Sequence, residues 1–252
     1  MVPRFRSPGR RALTSVGRLT RVGTLRQRVA LVSQVLAMEG MGDATLGHVS
    51  GRPKGANDFW IKRAGIGLEE VHSRDVVLVN LNGRKRSGNG RLHVEIPLHS
   101  EIYRARAEVG GIVHVHPLCA TIIGSSRKSL RPLTHEGVLF ADAPQFRKTS
   151  NIISTPALGR AVARALSRHR VLFLSNHGVV VVGQDPEEAC VLTILLERAC
   201  HVQLLAVSLE NYRWSGAREA RTKCAQIYHR QALRSMWDYY VRKLKHRGRN
   251  HR

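Results

Sequence analysis

The sequence predicts a layered α/β domain, on three observations. Short β-branched runs alternate with stretches whose apolar residues recur at helical spacing, the pattern of strands covered by helices. No internal repeat and no long linker divides the 252 residues. With 42% hydrophobic content, the chain carries enough apolar side chain for one large core.

Each element has its own signal. Leu25 to Met38 places Val29, Val32, Val35 and Leu36 at the spacing of a helix with one buried face, and Gly40 marks its end. Gly42 to Arg52 is dense in turn formers and reads as a loop able to cradle an anion. Val76 to Val79 reads as a buried strand followed by the turn signal Asn82-Gly83, and Arg84 to Gly90 as a polar loop. A helix follows from Pro97, with Leu98, Ile102 and Ala105 on one side. Ile112 to His116 is a strand. Arg127 to Arg131 is a basic loop, and Ala157 to Leu166 a short amphipathic helix. Val171 to Leu174 and Val179 to Val182 are strands flanking Ser175-Asn176-His177-Gly178. Asp185-Pro186-Glu187-Glu188 opens a long helix, with Asp as N-cap, Pro at the first position and Glu closing a capping box. Its stripe of Ala189, Leu192, Leu196, Ala199 and Gln203 extends to about Leu209. The segment with Trp237, Tyr239 and Tyr240 is helical and frays into basic residues.

The formal charge of +23 is concentrated at the ends. Met1 to Arg28 holds eight Arg and Val241 to Arg252 six Lys or Arg, with no acid in either. Twenty-seven basic residues then face all eighteen acids in the middle, which is only moderately basic. The expected organisation is a basic arm over 1–24, a domain over 25–240 and a basic tail over 241–252. Solvated tails explain such ends without nucleic acid, and no aromatic interleaving argues for it. Pro3, Pro8, Gly9 and Gly17 interrupt any amphipathic helix in the arm, which ranks a mitochondrial transit peptide below a cytoplasmic location. No apolar run suggests a membrane span. Cys119, Cys190, Cys200 and Cys224 lack a CxxC spacing and read as reduced thiols.

Of thirteen histidines, two stand out. His114 and His116 lie two apart in a β-branched run, so on a strand they project from one face, as a metal chelate requires. His177, in the strand-turn-strand junction, is the best third ligand. Three neutral imidazoles leave a coordination position open, as in catalytic rather than structural sites. Core histidines satisfied by backbone groups would give the same pattern. Glu95 can serve such a site as general base or further ligand, or can simply stabilise a helix N-terminus. His99, four residues on, is a further ligand or a support for one.

Gly47-His48-Val49-Ser50-Gly51-Arg52, the Glu95 to Arg106 segment, Val113-His114-Val115-His116-Pro117 and Asn176-His177-Gly178, in this order, closely resemble the class II aldolase/adducin family. The resemblance implies a three-layer α/β/α single domain with a central mixed sheet, assembled as a homotetramer with active sites between subunits. It implies His114, His116 and His177 as ligands of one divalent ion (zinc, manganese, cobalt or iron) and Glu95 as the acid/base carboxylate. It also implies an enolate intermediate, shared by retro-aldol cleavage and decarboxylation. Sugar-phosphate aldolases of the family usually carry Asn where His48 stands and a Ser pair where His93-Val94 stand. Loss of those hydroxyl donors argues against a phosphate pocket. His48, Ser50 and Arg52 could instead face a carboxylate. These features, with Pro132 to Gly137, look more like the branch that decarboxylates hydroxy-carboxymuconate semialdehyde or dihydroxyphthalate. His135 would then contribute from a neighbouring subunit or be an ordinary loop histidine. Expected is a metal-dependent lyase acting on a small carboxylate. The alternatives are retro-aldol cleavage of a sugar phosphate, a non-haem iron oxygenase and a non-catalytic adducin-like interaction protein, in which the ligand set is normally lost.

Overall fold

A strand whose residues are all buried needs cover on both faces, and the strand carrying His114 is one: all five residues of Gly111–Val115 are buried. The computed structural model describes residues 23–209 and 211–249. Its strands are β1 (His48–Gly51), β2 (Asp58–Lys62), β3 (Val76–Asn80), β4 (Lys85–Ser87), β5 (Gly111–Val115), β6 (Gln145–Phe146), β7 (Val171–Leu174) and β8 (Gly178–Gly183). They form one sheet in the order β4-β3-β2-β1-β5-β8-β7-β6. Neighbours are antiparallel except β6 and β7, so the sheet is mixed.

The helices are α1 (Leu25–Met38), α2 (Ile96–Ala105), α3 (Leu118–Ser125), α4 (Pro156–Leu166), α5 (Pro186–Ala206), α6 (Ala217–Ile227) and α7 (Arg230–Arg249). Strand alternation assigns them to two sides. Val113, Val115, Val179 and Val181 share one apolar cluster with Val32 of α1, Ile123 of α3, Leu192 of α5 and Trp237 of α7. Ile112, Val180 and Val182 share the other with Leu98 and Ile102 of α2 and Val162 and Leu166 of α4. The result is the expected α/β/α sandwich, with the histidine-bearing strand near its centre.

Several elements differ from their sequence signals. β1 lies in the stretch read as a loop; Gly47 and Gly51 punctuate it, yet His48 to Gly51 all pair with β5, and Ser50 and Gly51 pair with β2 as well. β2 has no clean alternation because Lys62 is buried among apolar residues. β4 is an exposed edge of polar residues. α3 follows directly from Pro117, and its N-terminal amides of Cys119 and Ala120 are satisfied by the Glu197 carboxylate, a long-range cap that local sequence cannot reveal. Asp185 caps α5 as expected, accepting from the Glu188 amide at 2.8 Å, but Glu188 reaches back to the amide of Gln184 instead of Asp185.

α5 stops at Ala206, and by length and mean hydropathy alone it could cross a membrane. Its apolarity is accounted for by burial between the sheet and α1, α3 and α7. The basic end is not a separate tail through Arg249: α7 runs through it, Val241 is buried and Lys243 pairs with Glu39 at 2.6 Å. Residues 1–22 of the basic arm and 250–252 lie outside the described residues.

Candidate metal centre

Three local features bring the histidines together. β5 lies between β1 and β8, with His114 opposite His48 on one side and Val180 on the other. His116 follows one residue beyond the strand end, on the same side as His114. His177 sits in the β7–β8 turn, where Asn176 adopts a left-handed φ of 56° and the His177 amide bonds the Leu174 carbonyl. Gly178 is required next to it: a Cβ there would lie 2.5 Å from Cδ2 of His116, so any side chain would separate the two rings, which now stack at 5.3 Å.

The ligand atoms of His114, His116 and His177 converge, and those of His48, Glu95 and His114 form a second, overlapping group. His114 Nδ1 donates to the Val179 carbonyl at 2.9 Å, and His116 Nδ1 meets the Asp43 carboxylate at 3.0 Å. Both bonds leave the Nε2 lone pairs free, and these face each other at 3.2 Å. Glu95 Oε2 lies 3.2 Å from His114 Nε2, and Oε1 lies 3.8 Å from His177 Nε2. Such crowding of acceptors is repulsive unless a cation or proton stands among them, so the donor set fits a divalent ion. Burial, reinforced by His114, lowers His177 to about 4 and shifts His116 downward, which keeps both rings available as neutral ligands.

Glu95 occupies the residue before α2, yet its side chain makes no cap bond. Its Oε1 accepts from the buried Ile153 amide at 2.7 Å, and Oε2 accepts from His48 Nε2 at 3.4 Å. Burial opposes its charge, but the adjacent His114 and His48 imidazoles outweigh that and hold the carboxyl well below the usual range. It is an ionised base aimed at the histidines.

Behind Glu95 runs a chain of buried polar groups. Burial pushes His48 and His99 far down, so both are neutral. With His48 Nε2–H donating to Glu95, its Nδ1 accepts from His99 Nε2–H at 2.7 Å. His99 Nδ1 then accepts from the Ser50 hydroxyl at 2.7 Å, and Ser50 Oγ accepts from Tyr103 at 2.8 Å. Every donor points toward the carboxylate.

Ser50 and His99 are therefore committed to this chain, and His99 belongs to neither ligand group. Arg52 is not brought to the site. Its guanidinium donates to the carbonyls of Val109, Ala56 and Arg106 and covers the Tyr103 ring, so the expected carboxylate contact is replaced by backbone contacts. His135 is exposed and precedes a 3-10 turn, and it meets none of these groups within one chain. Sequence reasoning missed Asp43, Ile153 and Tyr103. Asp43 had a signal as an acid in the turn-rich stretch and Tyr103 as part of the Glu95 to Arg106 motif, whereas Ile153 depends on tertiary packing.

Residues 27–204 match the family described as Class II Aldolase and Adducin N-terminal domain. The chain belongs to that family. Among class II aldolase/adducin relatives, it is 29% identical over 157 residues to the decarboxylase NovR of Streptomyces niveus, covering 61% of this chain and 58% of the relative. It is equally similar to 4-hydroxy-3-prenylphenylpyruvate oxygenase/4-hydroxy-3-prenylbenzoate synthase of Streptomyces roseochromogenus subsp. oscitans, covering 61% and 57%. The chain thus spans less than two thirds of either relative. An L-fuculose 1-phosphate aldolase structure from Glaciozyma antarctica PI12 superimposes with a TM-score of 0.78 at 26% identity, covering 88% of each chain. Family members of this kind use a divalent metal, and the His/Glu cluster is where this chain could hold one.

Proposed function

We propose that the protein is a metal-dependent carbon–carbon lyase that decarboxylates a small carboxylated substrate, aromatic-derived acids included. The observation that carries this reading is the position of Glu95, a buried ionised carboxylate touching both overlapping ligand groups. His114, His116 and His177 would hold one divalent ion, whose Lewis acidity when bound stabilises enolate charge on a substrate oxygen. Four metals suit this donor set: zinc, manganese, cobalt and iron. Glu95, ionised at rest, would accept a proton from the substrate and return it to the carbon that carbon dioxide has left, and the Ile153 amide and His48 fix the orientation of its oxygens.

Decarboxylation is favoured over sugar-phosphate cleavage by His93-Val94, which stand where the family's sugar-phosphate aldolases usually carry a Ser pair, and by His48, which stands where they usually carry Asn. The decarboxylase name of one relative supports the same choice. We further propose a homotetramer in the cytoplasm, with His135 crossing into a neighbour's site. Exposed Leu118 and Ile122, one turn apart just after His116-Pro117, suit burial by another copy.

Purified protein is expected to carry bound metal and to release carbon dioxide from oxoacids or catechol-type acids. Release unaffected by a chelator would overturn the reading. The oxygenase name of the second relative favours one further outcome, oxygen uptake with iron but not with manganese or zinc. Aldehyde release from fuculose 1-phosphate would instead support the chemistry named for the structural neighbour.

A further inference from the structure

We propose that Lys62 is a specificity-determining residue, a buried positive charge that biases the site toward a carboxylate-bearing substrate. Lys62 closes β2 and is 0% exposed. Its ammonium donates to the Thr45 carbonyl at 3.1 Å and lies 3.4 Å from Nε2 of His93. Those are its polar partners among the described residues, and no carboxylate is one of them. Glu69 and Glu70 are exposed and act on it only at longer range.

A buried ammonium without a counter-charge is unfavourable, so the fold bears a cost that a bound anion would offset. Its location supplies the anion's address. Thr45 belongs to the turn that leads through Gly47 into His48. The His93 ring lies 4.5 Å from that of His48, which in turn reaches Glu95. Lys62 thus lies beside His93, whose ring packs on that of His48. At this short separation the field of the ammonium reaches the site. Lys62 touches no substrate; it acts through His93, the Thr45 backbone and its field. The placement of the substrate rests on the decarboxylase reading, but the charge and its missing partner do not.

The test is calorimetric binding of malonate, a small dianion, and of neutral malonamide to the protein carrying the metal it purifies with. Lys62→Gln can still donate to Thr45 but has no charge, whereas Lys62→Arg keeps the charge. Malonate affinity should fall about tenfold in Lys62→Gln and by less than threefold in Lys62→Arg, with malonamide affinity unchanged in both. No malonate binding by the wild type, equal malonate binding by Lys62→Gln, or equal losses for the two ligands would overturn the proposal. If Lys62→Gln does not fold, Lys62→Arg decides: loss of malonate selectivity there means that packing, not charge, is at work. Binding is read without turnover, so a protein that selects malonate through Lys62 but releases no carbon dioxide rejects the decarboxylase reading alone.

Discussion

Glu95 and Lys62 are opposite solutions to one problem, a charge in a protein interior. Glu95 accepts from the Ile153 amide and from His48 and is held ionised, whereas Lys62 has two neutral partners and is lowered by burial to about 8. Replacing Glu95 with Gln preserves size and should leave metal binding intact while reducing kcat by roughly 10²–10⁴-fold, the usual worth of a proton-transfer group. Unchanged kcat would remove that role. Lys62 makes a separable pH prediction. Its folded value lies below the ordinary 10.5, so between about pH 8 and 10.5 the unfolded chain binds more protons and this side chain's contribution to stability rises with pH. Buried Cys190 and Cys200, raised by burial, push the other way at high pH, so the measurement is a difference. Wild type should gain on Lys62→Met by on the order of 2 kcal/mol between pH 8 and 10, read by denaturant unfolding; parallel curves would contradict it.

Elements were legible where the sequence encodes a local physical reason. The N-cap Asp185, the apolar stripe of α1 and the Val runs of β7 and β8 needed nothing distant. β1, β2 and α3 needed partners elsewhere: two sheet neighbours for His48 to Gly51, an interior amine in β2, and Glu197 for the start of α3. The site divides in the same way. His114, His116 and His177 could be picked out by spacing and turn context, and the family motifs added Glu95. Arg52 illustrates the limit, since its residue type suits a carboxylate but its reach is taken by three carbonyls. Asp185 gives the test at this scale. Asp185→Ala should destabilise the protein by about 1–2 kcal/mol through loss of the cap on the longest helix, measured as a lower denaturant midpoint. No change would mean that α5 is held by packing alone.

In the whole molecule, the mixed sheet places a fully buried strand at the centre and lets the chain ends of β5 and the β7–β8 turn meet, so a metal there joins two parts of the sheet. Binding to the folded state alone must then stabilise the entire domain. Stripping metal with a chelator should lower the Tm and restoring it should reverse the loss, worth about 4 kcal/mol at a thousandfold excess over Kd. The same logic selects the decisive measurement, metal content per chain by mass spectrometry in wild type, His114→Ala and His177→Ala purified in parallel. About one equivalent in the wild type and little in either folded variant is the predicted result. Equal metal in all three would contradict the site on which the proposed chemistry depends.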